Sequence, residues 1–590
     1  MPPLAASLKI PMLNNKRVEQ FFEVKILSYL FLIVVVMVVV QLFRIQILQH
    51  EYYSTLALSS HEIYQQLHPD RGAIYFQDSR TDELYPVAIN RAYYKIYTVP
   101  TEVPKDQVEN TAKKLEEILL LPPEKSAELR AKLAKDGDPY EPITKKVSEE
   151  KYNALKAANL SGIYGSPEIY RYYPEQNSAS AIVGFCSIDK DENPVGNYGV
   201  EGYWNKTLSG KSGFLMGERA GGGGWISLAG MTNVEAENGA DIILTIDRAL
   251  QYKACTRLAE ATKAFSARSG SLIAMDPKTG AILAMCSVPD YDPNNYSEAS
   301  DVSVYNNRSI FTPYEPGSVF KPIVMSMALD LGLVSPDTTF SDPCVRQFDK
   351  YTIHNALDKC YGSNVTMTQV LENSINTGMI WVSERIKRER MQTYVEKFGF
   401  GQKSGIPLDT EMAGNIASFD KKSPIFSAQA SFGQGITVTP LQLALAYSAL
   451  ANEGRLPKPY LVKEIRYGNG KKEKFEPEVS AQVISPRSAK LIDGMLTSVV
   501  EKTYVNSVKM SDYYIAGKTG TAQIPGPGGY SEETNHTFCG FAPASDPKFV
   551  MVVRFEAPER QWAESTAAVV FKDVADFALD YYGVEKDKHQ

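Results

Sequence analysis

The chain has 590 residues, enough for about three to five structural units. Hydrophobic residues make up 44% and charged residues 22%, a globular composition that excludes a disordered or collagen-like chain. The net charge of −7 argues against a non-specific nucleic-acid binder, which needs a basic surface. Six cysteines, none in a CxxC pair, are too sparse for a disulfide scaffold and carry no zinc signature.

One local feature departs from that average. Ile26 to Phe43 reads ILSYLFLIVVVMVVVQLF, 18 residues without a charge, within the roughly 17–25 residues that cross a bilayer. A buried core helix would show a polar face, and Val34 to Val40 shows none. A cleaved signal peptide would end in small residues, whereas Arg44-Ile-Gln-Ile-Leu-Gln-His follows here. A retained signal anchor is therefore expected over 26–43. Lys9, Lys16, Arg17 and Lys25 precede it and only Arg44 follows closely, which places residues 1–25 in the cytoplasm and the remainder outside the inner leaflet.

No internal repeat is evident beyond the anchor. Strand-like runs at Ala73–Phe76 and Tyr94–Val99 alternate with polar turns. From Pro104 to Leu160 apolar residues recur at spacings of three and four between charges, which predicts small surface helices on a β-rich frame. Residues 165–240 return to short strands and glycine-rich loops. Gly221 to Gly224 lacks the following helix with Lys-Ser/Thr that a phosphate loop needs, and reads as a flexible loop. At Asp241 a strand leads into an amphipathic helix. Strands at Ser271–Asp276 and Ala281–Ser287 follow, joined by the turn Asp276-Pro-Lys-Thr-Gly280. Helical patterns dominate from Val319 to Glu453. Strands return at Tyr514–Ile524, Thr537–Ala542 and Phe549–Glu556, before a helix over Ser565–Tyr581. This order predicts an α+β domain in which helices cover one sheet.

Three short motifs carry chemistry. Ser318-Val-Phe-Lys321 is preceded by Pro316-Gly317 and followed by Pro322, and proline is tolerated only in a helix's first turn. A helix therefore begins near Ser318, and residues three apart share its face, so the Lys321 amine can reach the Ser318 hydroxyl as base to nucleophile. A second S-x-x-K, Ser148-Glu-Glu-Lys151, has the spacing of a helix cap. A lysine at its ordinary pKa of about 10.4 is no base; burial or a second cation must lower it. Lys518-Thr519-Gly520-Thr521 supplies that cation within a strand pattern whose glycines mark close approach by another backbone. An earlier Lys278-Thr279-Gly280 follows Asp276-Pro277 and reads as a hairpin turn. Ser374-Ile-Asn376 is the chain's S-x-N, lying between helical stretches at Met367–Glu372 and Gly378–Lys387. S-x-x-K, S-x-N and K-T-G in that order are the signature of penicillin-recognising acyl-serine enzymes.

The chain resembles the class B penicillin-binding proteins, bitopic peptidoglycan D,D-transpeptidases, over essentially its whole length. Further matching stretches are Arg71-Gly72, Arg171-Tyr-Tyr-Pro, Gly199-Val-Glu-Gly-Tyr with Leu208-Ser-Gly, Thr245-Ile-Asp247 and Asp276-Pro-Lys-Thr-Gly-Ala-Ile-Leu-Ala-Met. Tyr314-Glu-Pro-Gly-Ser-Val-Phe-Lys-Pro and Phe432-Gly-Gln-Gly-Ile-Thr-Val-Thr-Pro-Leu-Gln resemble the division-type branch. Two departures stand out: Phe76-Gln-Asp-Ser replaces the usual Asp-Arg-x-Gly, and the middle residue of S-x-N is Ile375.

The resemblance implies a cytoplasmic tail over 1–25 and a transmembrane anchor over 26–43. It also implies a non-catalytic, dimerisation-type pedestal over 48–240 and a transpeptidase domain over 241–585, an antiparallel sheet with helices. Ser318 would attack the carbonyl between the terminal D-alanines of a stem peptide, with Lys321 as base. Ser374 would pass the proton towards the leaving group, Asn376 would orient the substrate amide, and Lys518 would supply positive potential. Thr519 and Thr521, around Gly520, would bind the terminal carboxylate, and the N–H groups of Ser318 and Thr521 would form the oxyanion hole. An amine from a neighbouring stem would then take the acyl group, with septal wall synthesis as the expected setting and lateral-wall synthesis as the alternative. β-Lactams would acylate Ser318. No cofactor, metal or nucleic acid is implied, and a multi-pass membrane glycosyltransferase with divisome-type partners is. A β-lactam-sensing receptor would need a cytoplasmic output domain larger than the roughly 25 residues before the anchor, and a catalytically silent scaffold would not need all three motifs intact. Cys344 and Cys360 either pair in an oxidising compartment or stay free. The other cysteines read as core residues, and His536 as structural.

Overall fold

The computed structural model describes residues 31–48, 62–190, 193–218, 232–349, 351–503, 507–526 and 528–588. They form two compact units. In the first, 31–43 is helical and runs into a π-helical turn at Arg44–Leu48. Its apolar side chains are exposed, Phe31 at 71% and Met37 at 65%. Residues 26–30 of the expected span, and Gly221–Gly224, lie outside the described residues. Among the described residues no helix is long and apolar enough to cross a membrane. The same unit holds a three-stranded antiparallel sheet in which Gly213–Glu218 pairs Glu62–Leu67 on one side and Thr232–Val234 on the other.

The second unit contains two main sheets. The first is seven-stranded and runs Lys472–Lys474, Val462–Arg466, Asp241–Asp247, Ile74–Gln77, Leu84–Thr98, Glu141–Val147, with Ile163–Tyr172 also paired to Leu84–Thr98. Asp241–Asp247 and Ile74–Gln77 pair in parallel and the rest antiparallel. The predicted small helices form at Val108–Leu119, Ser126–Leu133 and Glu149–Ala158. Ala112, Leu115 and Leu119 recur on one face and pack with Leu129, Leu133 and Leu155 against Ile96 and Val147, the burial that makes a short helix stable. Ser148 is the cap read from sequence, its hydroxyl accepting from Lys151 N at 3.4 Å.

Three stretches quoted for the resemblance meet in one buried ion network. Arg71 Nε donates to Glu201 Oε2 at 2.8 Å and Arg171 Nε to Glu201 Oε1 at 2.6 Å. Arg71 also reaches Asn205 and Ser209, and Arg171 reaches Asn90 and the Gly72 carbonyl. Glu201 is fully buried. Burial works to raise its carboxyl pKa, and the two guanidiniums overcome this and hold it below its ordinary value. At Phe76-Gln-Asp-Ser the turn is closed by Asp78, which accepts from Arg80 N and Thr81 N, and by Gln77, which donates to Asp82.

The second sheet is antiparallel, with strands β1 Ser269–Met275, β2 Ile282–Val288, β3 Ala516–Gly526, β4 Gly529–Ala542 and β5 Phe549–Glu556 in the order β2-β1-β5-β4-β3. Every residue of β1 is buried, as in a strand covered on both faces. Helix α1, Arg248–Ala264, starts at Asp247, whose carboxylate accepts from Leu250 N at 3.0 Å. It packs on β2 and on the C-terminal helix Ala567–Tyr581. Lys278-Thr279-Gly280 is the expected turn, with Lys278 N on Asp276 Oδ1 at 2.8 Å and Gly280 N on the Asp276 carbonyl.

Cys344 and Cys360 are bonded, and so are Cys255 and Cys286. The second pairing corrects the reading of those two cysteines as unbonded core residues. α1 lies on β2 so that their Cα atoms are 5.3 Å apart, within bonding range, although 31 positions separate them in sequence. Cys186 and Cys539 are free thiols.

Candidate active site

Ser318 sits on a 3-10 turn, Gly317–Phe320, that runs directly into helix α2, Lys321–Asp330. Two contacts fix this turn from below and behind. The buried Tyr447 hydroxyl donates to the Val319 carbonyl at 2.8 Å, and Gly317 N donates to the Gly433 carbonyl at 3.0 Å. Gly433, at φ +81°, has no room for a side chain: a Cβ there would stand 2.2 Å from the Gly317 oxygen. The first glycine of Phe432-Gly-Gln-Gly is thus required because the nucleophile's turn lies against it. Glu315 ties the same region together, accepting from Gly435 N at 2.9 Å and from the Tyr530 hydroxyl at 3.0 Å.

Lys321 is completely buried. Its Nζ donates to the Ser374 carbonyl at 2.6 Å, to Ser374 Oγ at 3.1 Å and to Asn376 Oδ1 at 2.8 Å. Ser374 Oγ in turn donates to Ser318 Oγ at 2.9 Å. Sequence spacing predicts a direct lysine–nucleophile contact; the structure instead runs the connection through Ser374. Burial, and then the positive charge of Lys518, push the Lys321 pKa well below its ordinary value. As an ammonium, Lys321 uses all three N–H bonds on these acceptors. As an amine, it keeps two for the carbonyl oxygens and turns its lone pair to the Ser374 hydroxyl. Once the Ser374 hydroxyl turns its proton from Ser318 to that lone pair, its oxygen can accept from Ser318, and a proton leaving Ser318 has a continuous path to nitrogen.

Ser374 and Asn376 flank the break between helices Met367–Glu372 and Asn376–Ile386. Ser374 is left-handed, with φ of 53°, which directs its carbonyl at Lys321. Asn376 Nδ2 donates to the His354 carbonyl at 2.9 Å, leaving Oδ1 for the lysine.

Lys518, Thr519, Gly520 and Thr521 lie on β3, and Lys518 and Thr519 are buried. A Cβ on Gly520 would meet the Pro316 carbonyl at 2.9 Å and Val319 Cγ1 at 3.0 Å. The strand is therefore pressed onto the Ser318 turn, the close approach its glycines predicted. The structure thus gathers all eight candidates around the Ser318 turn. Thr519 Oγ1 donates to Glu564 Oε1 at 3.1 Å, and Thr521 Oγ1 accepts from Ala563 N at 3.2 Å. Glu564, Tyr447 and Glu315 were not singled out from sequence. Glu315 stood in a quoted stretch; Glu564 and Tyr447 carry no local signal. His536 is buried, bonded through Nδ1 to Thr566 and through Nε2 to Thr534 at 2.9 and 3.0 Å. Burial pushes its pKa down to about 4, so it is a neutral structural histidine. Among the described residues no cluster of His, Cys, Asp and Glu could hold a metal.

Known proteins match this architecture. Residues 270–576 match the penicillin-binding protein transpeptidase domain, and residues 66–244 match the penicillin-binding protein dimerisation domain. The chain is 32% identical over 554 residues to the stage V sporulation protein D of Bacillus subtilis, covering 92% of this chain and 83% of that protein. It is 32% identical over 443 residues to the probable peptidoglycan D,D-transpeptidase PbpC of Pseudomonas aeruginosa, covering 74% of this chain and 75% of that protein. The crystal structure of a peptidoglycan synthetase from Bifidobacterium adolescentis superposes with a TM-score of 0.68 at 25% identity, over 90% of this chain and 98% of that one. The chain belongs to the class B penicillin-binding proteins of the division type, the family of peptidoglycan D,D-transpeptidases.

Proposed function

We propose that this chain cross-links peptidoglycan by acyl transfer through Ser318. The carrying observation is the buried Lys321 joined through Ser374 to the Ser318 hydroxyl at 3.1 and 2.9 Å. Ser318 attacks the carbonyl between the two terminal D-alanines of a stem peptide. Its proton moves through Ser374 to Lys321, and the return of that proton to the departing D-alanine nitrogen completes acylation. Asn376 orients the substrate amide, and Lys518, Thr519 and Thr521 hold the terminal carboxylate. The N–H groups of Ser318 and Thr521 take the oxyanion, a donor typically worth about 3–4 kcal/mol. An amine of a second stem then displaces the serine and closes the cross-link.

The layout we propose has an anchor over 26–43, a pedestal over 48–240 and the transpeptidase over 241–585, with the catalytic domain outside the cytoplasmic membrane. The exposed apolar helix over 31–43 supports the anchor, since such a surface needs lipid to cover it. The two disulfides support an oxidising compartment. Glycan polymerisation then comes from a multi-pass membrane glycosyltransferase held with divisome-type partners at the septum. The deciding experiment is fluorescent-penicillin labelling of membranes carrying wild type or Ser318→Ala. Wild type labels and the variant does not; an unlabelled wild type, or equal labelling, overturns the reading.

A further inference from the structure

Behind Asn376 lies a second network that the proposed reaction does not itself use. The Asp342 carboxylate is buried and accepts four hydrogen bonds. Oδ1 takes the Thr377 hydroxyl at 2.6 Å and Cys344 N at 3.0 Å; Oδ2 takes Asn355 Nδ2 at 2.9 Å and Tyr361 N at 2.9 Å. Those four bonds fill the lone-pair sites of a carboxylate. Their donors come from both ends of the loop closed by Cys344 and Cys360, from its middle, and from the residue that follows Asn376. One carboxylate thus clamps the loop to the start of helix Asn376–Ile386.

The clamp continues towards the chemistry. Asn355 Oδ1 accepts from Thr377 N at 3.1 Å, satisfying an N–H that the first turn of a helix leaves without an intrahelical partner. The preceding residue, His354, presents its carbonyl oxygen to Asn376 Nδ2 at 2.9 Å. With Nδ2 committed there, Oδ1 is the atom left to accept from Lys321 at 2.8 Å. A flipped amide would set an NH2 against the lysine's own N–H donors.

We infer that Asp342 and Thr377 are positioning residues for acylation, which fix the Asn376 amide through the loop carrying Asn355 and His354. The inference rests on the transpeptidase reading of this site. A clamp that served only folding would affect melting and leave the acylation kinetics of folded protein unchanged.

The test measures the rate of acylation by a fluorescent penicillin against pH, together with Tm, for the full chain in detergent. Thr377→Val removes the donor to Asp342 and keeps the shape; Asp342→Asn is a second, independent break. Both are expected to lower the acylation rate by about 10- to 100-fold, the scale of a small misplacement at a reacting centre. Their acid limb is expected at lower pH. A hydrogen bond to Asn376 Oδ1 favours the ammonium over the amine, so loosening it lowers the lysine's affinity for a proton. Lys518, the charged neighbour acting on that amine, is unchanged in both variants. Thr377→Ser keeps the hydroxyl and is expected to restore rate and limb. Wild-type rates and an unmoved limb in folded Thr377→Val or Asp342→Asn overturn the inference. A wild type that penicillin does not label overturns the transpeptidase reading instead.

Discussion

The Lys321 amine donates to the Ser374 carbonyl across 2.6 Å, and Ser374 holds that oxygen in place from a left-handed backbone with φ of 53°. A serine in that region costs about 1–2 kcal/mol that a glycine would not incur, a cost set against what its hydroxyl does for Ser318 and Lys321. Ser374→Ala and Ser374→Gly should therefore lose acylation alike, by about 100- to 10,000-fold. They should differ in stability, with the glycine variant more stable by about 1 kcal/mol. Calorimetric melting and penicillin acylation of both variants separate the two effects. Equal melting would show that the left-handed turn stores no strain, and retained acylation in either would remove Ser374 from the proton path.

Lys321 faces a second cation, and this makes its activity pH-dependent in a defined sense. Burial and Lys518 both favour the neutral amine. Acidification protonates it, so the acylation rate of wild type should fall towards low pH. Lys518→Met removes a positive neighbour, which raises the Lys321 pKa and moves the acid limb to higher pH, along with a lower rate. A limb that stays in place would mean that desolvation alone holds the amine neutral.

Gly520 faces the nucleophile's turn with no space for a side chain. Gly520→Ala must push β3 away from Pro316 and Val319, which stand 2.9 and 3.0 Å from the added carbon. Overpacking of this kind costs about 1–3 kcal/mol. The displacement also moves the Thr521 N–H relative to Ser318, and so the loss of acylation should exceed what melting alone predicts. An alanine variant that acylates at the wild-type rate would show that β3 is not held in register by this contact.

The thiols report on the compartment and on the pairing found here. In native protein without reductant, an alkylating probe should modify half-buried Cys186 slowly, because burial pushes its thiol pKa up to about 11, while buried Cys539 needs denaturation. The remaining four should appear only after reduction. Labelling of Cys255 or Cys286 before reduction would break the assignment of that bond.

Local chemistry made part of this site legible in the sequence. Prolines on both sides of the Ser318–Lys321 turn betray a helix start, and the glycines around Lys518 betray a close approach; both follow from the backbone of a few neighbouring residues. Ser374's role was legible only through its order between the other two motifs, because nothing in its neighbours announces a left-handed turn. Asp342 and Thr377 meet across 35 positions at 2.6 Å, and neither carries a pattern that points to the other. The bond between Cys255 and Cys286 was missed for the same reason: it depends on how α1 lies on β2. Some strands followed from periodicity, but Glu141–Val147, Val345–Phe348 and Tyr351–His354 are strands inside stretches read as helical, and β4 runs from Gly529 rather than Thr537, since its polar first half pairs with β3 without an apolar face to reveal it.

Glu201 joins Arg71 and Arg171, and its burial allows a prediction with a definite sign. The folded-state pKa lies below the ordinary value near 4.5. The group therefore contributes stability that is complete above that value and is lost as pH falls through the depressed folded-state pKa. Glu201→Gln removes the charge while keeping an acceptor, and leaves two guanidiniums buried without their counter-ion. Breaking a buried pair in this way costs about 3–5 kcal/mol. At neutral pH the variant should melt well below wild type, and the gap should narrow as acid neutralises the wild-type carboxylate below pH 4.5. Penicillin acylation by the fraction that remains folded should be preserved, because the network's hydrogen bonds involve none of the eight residues gathered around Ser318. A gap that stays constant from neutral pH into this acid range would show that the carboxylate's charge contributes nothing to holding Arg71 and Arg171 together.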